Sequence, residues 1–178
     1  MDSINRNQPE DNHKDVSGNE AAKRIQDMTE DAENCFFCTS EKAGESNGVR
    51  PMSVKKADYQ GRLWFLSASD SHKNMEIKAD PQVRILLQSA KHAGFLMLEG
   101  HATISRDQKQ IDELWNPIMK TWFTEGKDDP RITVICVTPT DGYYWDNKHG
   151  SLVAATKMVI GAAIGKTLDD SIEGQVRP

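Results

Sequence analysis

One stretch in the first half of the chain places several anion-binding groups together. Leu63-Trp64-Phe65-Leu66-Ser67 reads as a buried strand, and Ala68-Ser69-Asp70-Ser71-His72-Lys73 leads it into a helix. Asp70 or Ser71 can cap that helix, which runs to about Ala79 and is stopped by Asp80-Pro81. Backbone N–H groups at the helix start, the Ser67 and Ser71 hydroxyls and the Lys73 ammonium one turn in would together hold a phosphate. The helix dipole favours the same sign of charge. Taken alone, the stretch is equally a plain capped helix with a solvated lysine. Arg50, on a neighbouring strand, shifts the balance, because a guanidinium can add a two-pronged contact to the same phosphate.

Other chemistry-bearing residues point less far. Cys35-x-x-Cys38 has no second Cys or His pair to complete a zinc site. Both cysteines fall in an apparent strand rather than at a helix start, three residues apart and so on opposite faces, which argues against a thioredoxin-type motif. Glu99 and His101 share one strand face and read as a solvated polar stripe more readily than as an acid–base pair. Trp115 and Trp122 fall on a helical stripe and read as core. Trp145, after Tyr143-Tyr144, could stack on a planar ligand or fill an interface. No nucleophile elbow, Walker loop, dinucleotide fingerprint or metalloprotease motif is present.

The elements that must position these residues follow from pattern. Residues 1–18 are almost wholly polar and read as a flexible tail. Ala21, Ala22, Ile25, Met28, Thr29 and Ala32 recur at helical spacing. Strands are expected at Cys35–Thr39, Val49–Tyr59 with Pro51 marking an edge, Leu63–Ser67, Val83–Gln88 and Gly94–Ser105. In the last of these Leu98, Gly100, Ala102 and Ile104 share a face opposite Glu99, His101 and Thr103. Asp107 opens a helix that Pro117 should kink or split. Strands at Ile132–Val137 and Gly142–Trp145 flank an expected turn at Pro139-Thr140-Asp141-Gly142. A last helix is expected from Ser151 to Ile164, and Thr167–Pro178 reads as a loose tail. The organisation is thus a tail at 1–18, one domain at 19–165 and a tail at 166–178. Strands do not alternate with long helices, so the expected fold is mostly β, a small antiparallel barrel with peripheral helices.

The 178 residues suffice for a core without disulfides, and three cysteines make no disulfide framework. Lys plus Arg number 22 and Asp plus Glu 27, a formal net charge of −5, which disfavours a non-specific nucleic-acid binder. No apolar run is long enough to span a membrane and no secretory leader is visible, so a cytoplasmic setting is expected.

In order, Arg50-Pro51-Met52, Leu63-Trp64-Phe65, Ser71-x-Lys73, Asp80-Pro81-x-Val83, Trp122-Phe123, Asp129-Pro130 and Tyr144-Trp145-Asp146 resemble the general stress proteins of the pyridoxamine-phosphate-oxidase-like group, over roughly residues 20–165. The resemblance implies a six-stranded antiparallel split β-barrel that dimerises and holds FMN, or FAD, in two equivalent grooves at the interface. It implies that Arg50 and Lys73 bind the phosphate, with Ser67 and Ser71 as further donors and His72 as a second basic group. The Arg50-Pro51-Met52-Ser53 backbone would run beside the flavin ring, Leu66 would pack near it, and Trp145 would reach it from the other subunit. The oxidase's Arg-x-His segment is missing after Trp145, where Asp146-Asn147-Lys148-His149-Gly150 stand, so oxidation of pyridoxamine phosphate is expected to be absent or very weak. Lys55 sits where the oxidase has a lysine near its substrate phosphate. The leading expectation is a flavin-dependent redox protein of unknown small-molecule substrate. The alternative is a non-catalytic module for flavin, deazaflavin or haem, the last needing an axial ligand such as His101, His149 or Tyr144. A pure interaction protein is a third class. No metal site and no catalytic proton donor can be named.

Overall fold

The structure, a computed structural model, describes residues 12–40, 48–89, 94–148 and 170–178. The expected helix at 151–164 and His149 lie outside them. Among the described residues nine strands form one sheet. β1 (Val16–Ser17) leads into helix α1 (Gly18–Ala32), followed by β2 (Asn34–Thr39), β3 (Val49–Ser53), β4 (Lys56–Ala57) and β5 (Leu63–Ala68). Helix α2 (His72–Ala79), β6 (Gln82–Gln88), β7 (Phe95–Ser105) and α3 (Gln108–Leu114) come next, then β8 (Ile132–Asn147) and β9 (Ser171–Arg177). The order is β1-β9-β8-β7-β6-β2-β3, and β5 lies beside β8 with β4 beyond it. All pairings are antiparallel except β1 with β9.

Alternation builds the core. On β2 the side chains of Cys35, Phe37 and Thr39 point in; on β6 Val83, Ile85 and Leu87 do; on β7 Leu96, Leu98 and Ala102 do. Phe37 and Phe65 meet edge to face at 5.2 Å inside the barrel. Helix α1 lays Ala21, Ala22, Ile25 and Met28 against the barrel, each at most 4% exposed. Gly61, at φ +75°, lets the β4–β5 turn approach α1, where a Cβ would stand 3.2 Å from the Ala22 backbone.

Four expectations need correction. The turn at 139–142 does not exist: β8 is one strand of 16 residues, with a register shift where Glu99 and Gly100 face Asp141 and Pro139. The bulge falls at Thr140, between the paired Pro139 and Asp141, and Gly142 stays in register opposite Leu98. Val49–Tyr59 is not one strand but two, broken at Val54–Lys55. The end of the chain is not a loose tail, because Ser171–Arg177 is a strand between β1 and β8, and Val16 within the expected N-terminal tail is buried in β1. Pro117 does split the helix, and the piece after it, Pro117–Thr121, is a 3-10 turn that leaves Trp122 62% exposed rather than in the core. Among the described residues no helix is long and apolar enough to cross a membrane.

Candidate functional site

The sheet does not close, and the opening lies where the sequence put its anion-binding groups. At one end Lys56 and Ala57 pair with Trp64 and Leu63. Beyond Trp64, β5 pairs only with β8, from Phe65 with Ile135 to Ala68 with Ile132. β3 meanwhile pairs only with β2, as an edge strand that admits Pro51. The break at Val54–Lys55 separates the two courses. It is held by hydrogen bonds from Val54 N to Glu33 O (2.9 Å) and from Lys55 N to Trp64 O (2.8 Å). Between β3 and β5 opens a cleft of about 490 Å³.

Pro51, Met52 and Ser53 form one wall, and Leu66 and Ser67 face them. Ser71 and Lys73, from the start of α2, complete the polar side. The loop that carries them is braced. Ser71 caps α2 by accepting from Asn74 N (3.3 Å), and its Oγ lies 3.2 Å from Ser67 Oγ. Asn74 Nδ2 donates to Thr133 Oγ1 (2.8 Å), which donates to the Ser67 carbonyl (2.9 Å).

Lys73 carries no ion pair among the described residues. Burial, and then repulsion from Arg50, lower its pKa to about 8, against an upward pull from Glu76. Arg50 does not line the cleft. Its Nη1 lies 2.6 Å from Glu76 Oε2, and the Glu76 side chain is only 1% exposed. Thr39 Oγ1 donates to the same carboxylate oxygen. His72 is exposed and does not line the cleft, and Trp145 lies elsewhere, with Leu86 and Phe95 in a groove on the outer face of the sheet.

Sequence reasoning missed two residues here, Glu76 and Trp122, and singled out Lys55 only through the family resemblance. Glu76 sits three positions after Lys73 on the same helix, a spacing that brings both to one side. Trp122 overhangs the cleft from the 3-10 turn region. Lys55 lines it from the strand break, half-buried, and burial holds its pKa below the ordinary lysine range.

Among the described residues the other candidate groups do not line the cleft. All three cysteines are free; burial pushes the Cys35 thiol up to about 12 and raises Cys38 and Cys136 too, so none is primed as a thiolate. His101 Nε2 is hydrogen-bonded to Gln82 at 2.9 Å and Tyr144 Oη donates to the Lys14 carbonyl at 2.7 Å, both away from the cleft. Among the described residues no group of His, Cys, Asp and Glu could hold a metal.

Comparison with known proteins agrees with this architecture. General stress protein 26 of Bacillus subtilis is 31% identical over 82 residues, 44% of this chain and 58% of that protein. Protein bli-3 of Neurospora crassa is 25% identical over 107 residues, 56% of this chain and 47% of that one. The chain thus spans about half the length of the curated relatives it matches. A crystal structure described as a general stress protein 26 from Jannaschia sp. CCS1 superposes with a TM-score of 0.75 at 20% identity, covering 89% of this chain and 98% of that one. The general stress FMN/FAD binding protein of Xanthomonas citri gives 0.60 at 21% identity, covering 71% and 87%. These likenesses show a shared split-barrel fold. The family model described as "Pyridoxamine 5'-phosphate oxidase like" matches residues 20–169, and the chain belongs to that family.

Proposed function

We propose that the cleft between β3 and β5 holds a flavin, FMN, with its phosphate at Ser67, Ser71 and Lys73, and that the protein is a flavin-dependent redox protein. The observation that carries this reading is the state of Lys73. A half-buried ammonium without an ion pair, in a braced loop with two hydroxyls, is a costly arrangement that a dianionic phosphate relieves. Arg50, held by Glu76, adds positive potential from behind rather than a direct contact. The outer edge of β3 offers the ring main-chain groups that β2 does not take. One structural neighbour is described as FMN/FAD binding. The bound flavin would supply one- and two-electron transfer; the chain's residues would fix its phosphate and screen its ring.

The active unit in this reading is a homodimer. Phe36 (56% exposed), Leu86 (36%) and Phe95 (50%) lie on the outer face of β2, β6 and β7, and Phe95 faces Trp145 across β7 and β8. A second copy would cover this patch, and the partner subunit's Trp145 would complete the cleft. Pyridoxamine phosphate oxidation is not expected. The segment after Trp145 is used structurally, with the Asp146 carboxylate accepting from Arg24 Nη1 at 2.6 Å.

Purified protein should be yellow, or should quench the fluorescence of added FMN on a saturable curve. It should run as a dimer at micromolar concentration and oxidise pyridoxamine phosphate no faster than free FMN does. A colourless monomer that leaves FMN fluorescence unchanged refutes the proposal. NAD(P)H oxidation above the free-flavin background would mark it as an enzyme rather than a carrier.

A further inference from the structure

Charge is unevenly placed in the cleft between β3 and β5. Among the described residues that line it, two are lysines, Lys55 and Lys73, and none is an aspartate or a glutamate. The two lysines enter at opposite ends. Lys55 comes from the strand break, where its backbone N–H donates to Trp64 O, whereas the phosphate cradle begins at Ser67. Three residues of β5 separate those levels, about 10 Å of extended chain.

The other cations near the break are already matched. Lys56 pairs with Glu113, and Arg50 lies against Glu76 behind the cradle. Lys55 is half-buried and carries no ion pair among the described residues. Burial lowers its pKa, so its charge is partly stripped of water. Glu30 and Glu33 lie across the break, against a neighbouring hollow that Lys55 also borders, and neither lines this cleft.

We propose that Lys55 makes the cleft hold the reduced, anionic form of the flavin more tightly than the oxidised form, and so raises the reduction potential of the cofactor. This rests on the flavin reading above. Two electrons and one proton convert a neutral oxidised ring into one bearing a negative charge. The phosphate at Ser67, Ser71 and Lys73 is unchanged by that conversion, so the cradle favours both forms alike and shifts nothing. An ammonium some 10 Å from the cradle, in a cleft without carboxylates, meets the charge that reduction adds.

The test is a dithionite titration of FMN-saturated protein against a reference dye, with free FMN alongside. At pH 7 the bound couple should lie about 30 mV or more above free FMN, equivalent to reduced flavin binding about tenfold tighter than oxidised. Lys55→Met, and Lys55→Gln as a second uncharged variant, should abolish most of that tenfold preference. Lys55→Arg should keep it to within about threefold. Lys73→Ala at saturating FMN should leave the preference within about threefold of the parent, because it weakens both forms together. Between pH 6 and 7 Lys73, with its pKa lowered to about 8, keeps its proton. Over that range the bound couple should fall by about 30 mV per pH unit, one proton for two electrons. A potential at or below that of free FMN, an unchanged potential in both uncharged variants, or a slope of about 59 mV per unit would each overturn the proposal. FMN that binds with no rise in potential sinks this inference alone, whereas protein that binds no FMN sinks the flavin reading and this with it.

Discussion

At the Leu63 end of β5, next to β4, Asp58 is 5% exposed and fully partnered. It accepts from Gln60 N and Arg62 N (3.0 Å each), Arg62 Nε (2.8 Å) and Trp64 Nε1 (3.1 Å). Burial pushes its pKa up, but the bonds from Trp64 and Arg62 more than offset this and hold the carboxyl below its usual 3.8. At the Ala68 end, where β4 no longer covers the strand, Lys73 keeps its charge at a cost and meets no carboxylate within ion-pair reach. The same strand thus carries a knot whose demands are met by the chain and a cradle whose demands are not. Full satisfaction marks a structural site, and an unmet charge beside a cleft marks a binding one.

That contrast can be broken from either end. The largest effect on folding is expected at the knot. Asp58→Ala should cost about 2–4 kcal/mol of stability, since it strands several donors at once, while FMN affinity of the folded variant stays unchanged. In the parent this contribution is complete above 3.8, the unfolded value, and is lost as pH falls through the lower folded value. Chemical denaturation at neutral and acid pH should therefore show the variant's deficit shrinking on acidification. A variant that lost flavin binding instead would erase the distinction.

The converse holds for Lys73→Ala. FMN should bind about 1.5–3 kcal/mol more weakly, and the cofactor-free protein should melt no lower, because a desolvated charge has been removed. Calorimetric titration and thermal melts read the two effects separately. Next in size is the pH dependence. The free Lys73 amine loses its proton near pH 8, so FMN binding above that value must take up a proton. The dissociation constant should rise by up to roughly tenfold per pH unit there, and Lys73→Arg should flatten the curve. The smallest effect is expected at Trp122, 62% exposed over the cleft. Trp122→Ala should leave stability within about 0.5 kcal/mol and weaken FMN by about 0.5–1.5 kcal/mol through lost ring contact. A large loss of stability would return this indole to the core.

The cradle was legible because its residues are close in sequence. Ser67, Ser71 and Lys73 follow one strand into one helix, and local rules of capping and anion binding suffice to group them. Met52 and Ser53 needed the family resemblance, since nothing local says that β3 lies across from β5. Arg50 was placed in the right neighbourhood but not in its true pairing, because a buried carboxylate on a facing helix competes for the guanidinium. The strands missed at the end of the chain share one cause. Gly142 and Gly174 read as turn or tail markers, yet each lies in a strand where another backbone passes close. A Cβ at Gly142 would stand 2.5 Å from Met97 O, and one at Gly174 would strike Lys14 O. Glycine signals both a bend and a close approach, and a sequence alone does not tell which.

The parallel pairing of β1 with β9 has a consequence for the order of assembly. Val16 and Val176 are register partners from opposite ends of the chain, and β9 separates β1 from the rest of the sheet. On the ribosome, the strands from β2 to β8 can find one another before residues 171–177 have emerged. Until β9 follows them, β1 has no partner strand and the Gly142–Asn147 part of β8 is a bare edge, so the growing polypeptide carries an aggregation hazard that β9 removes.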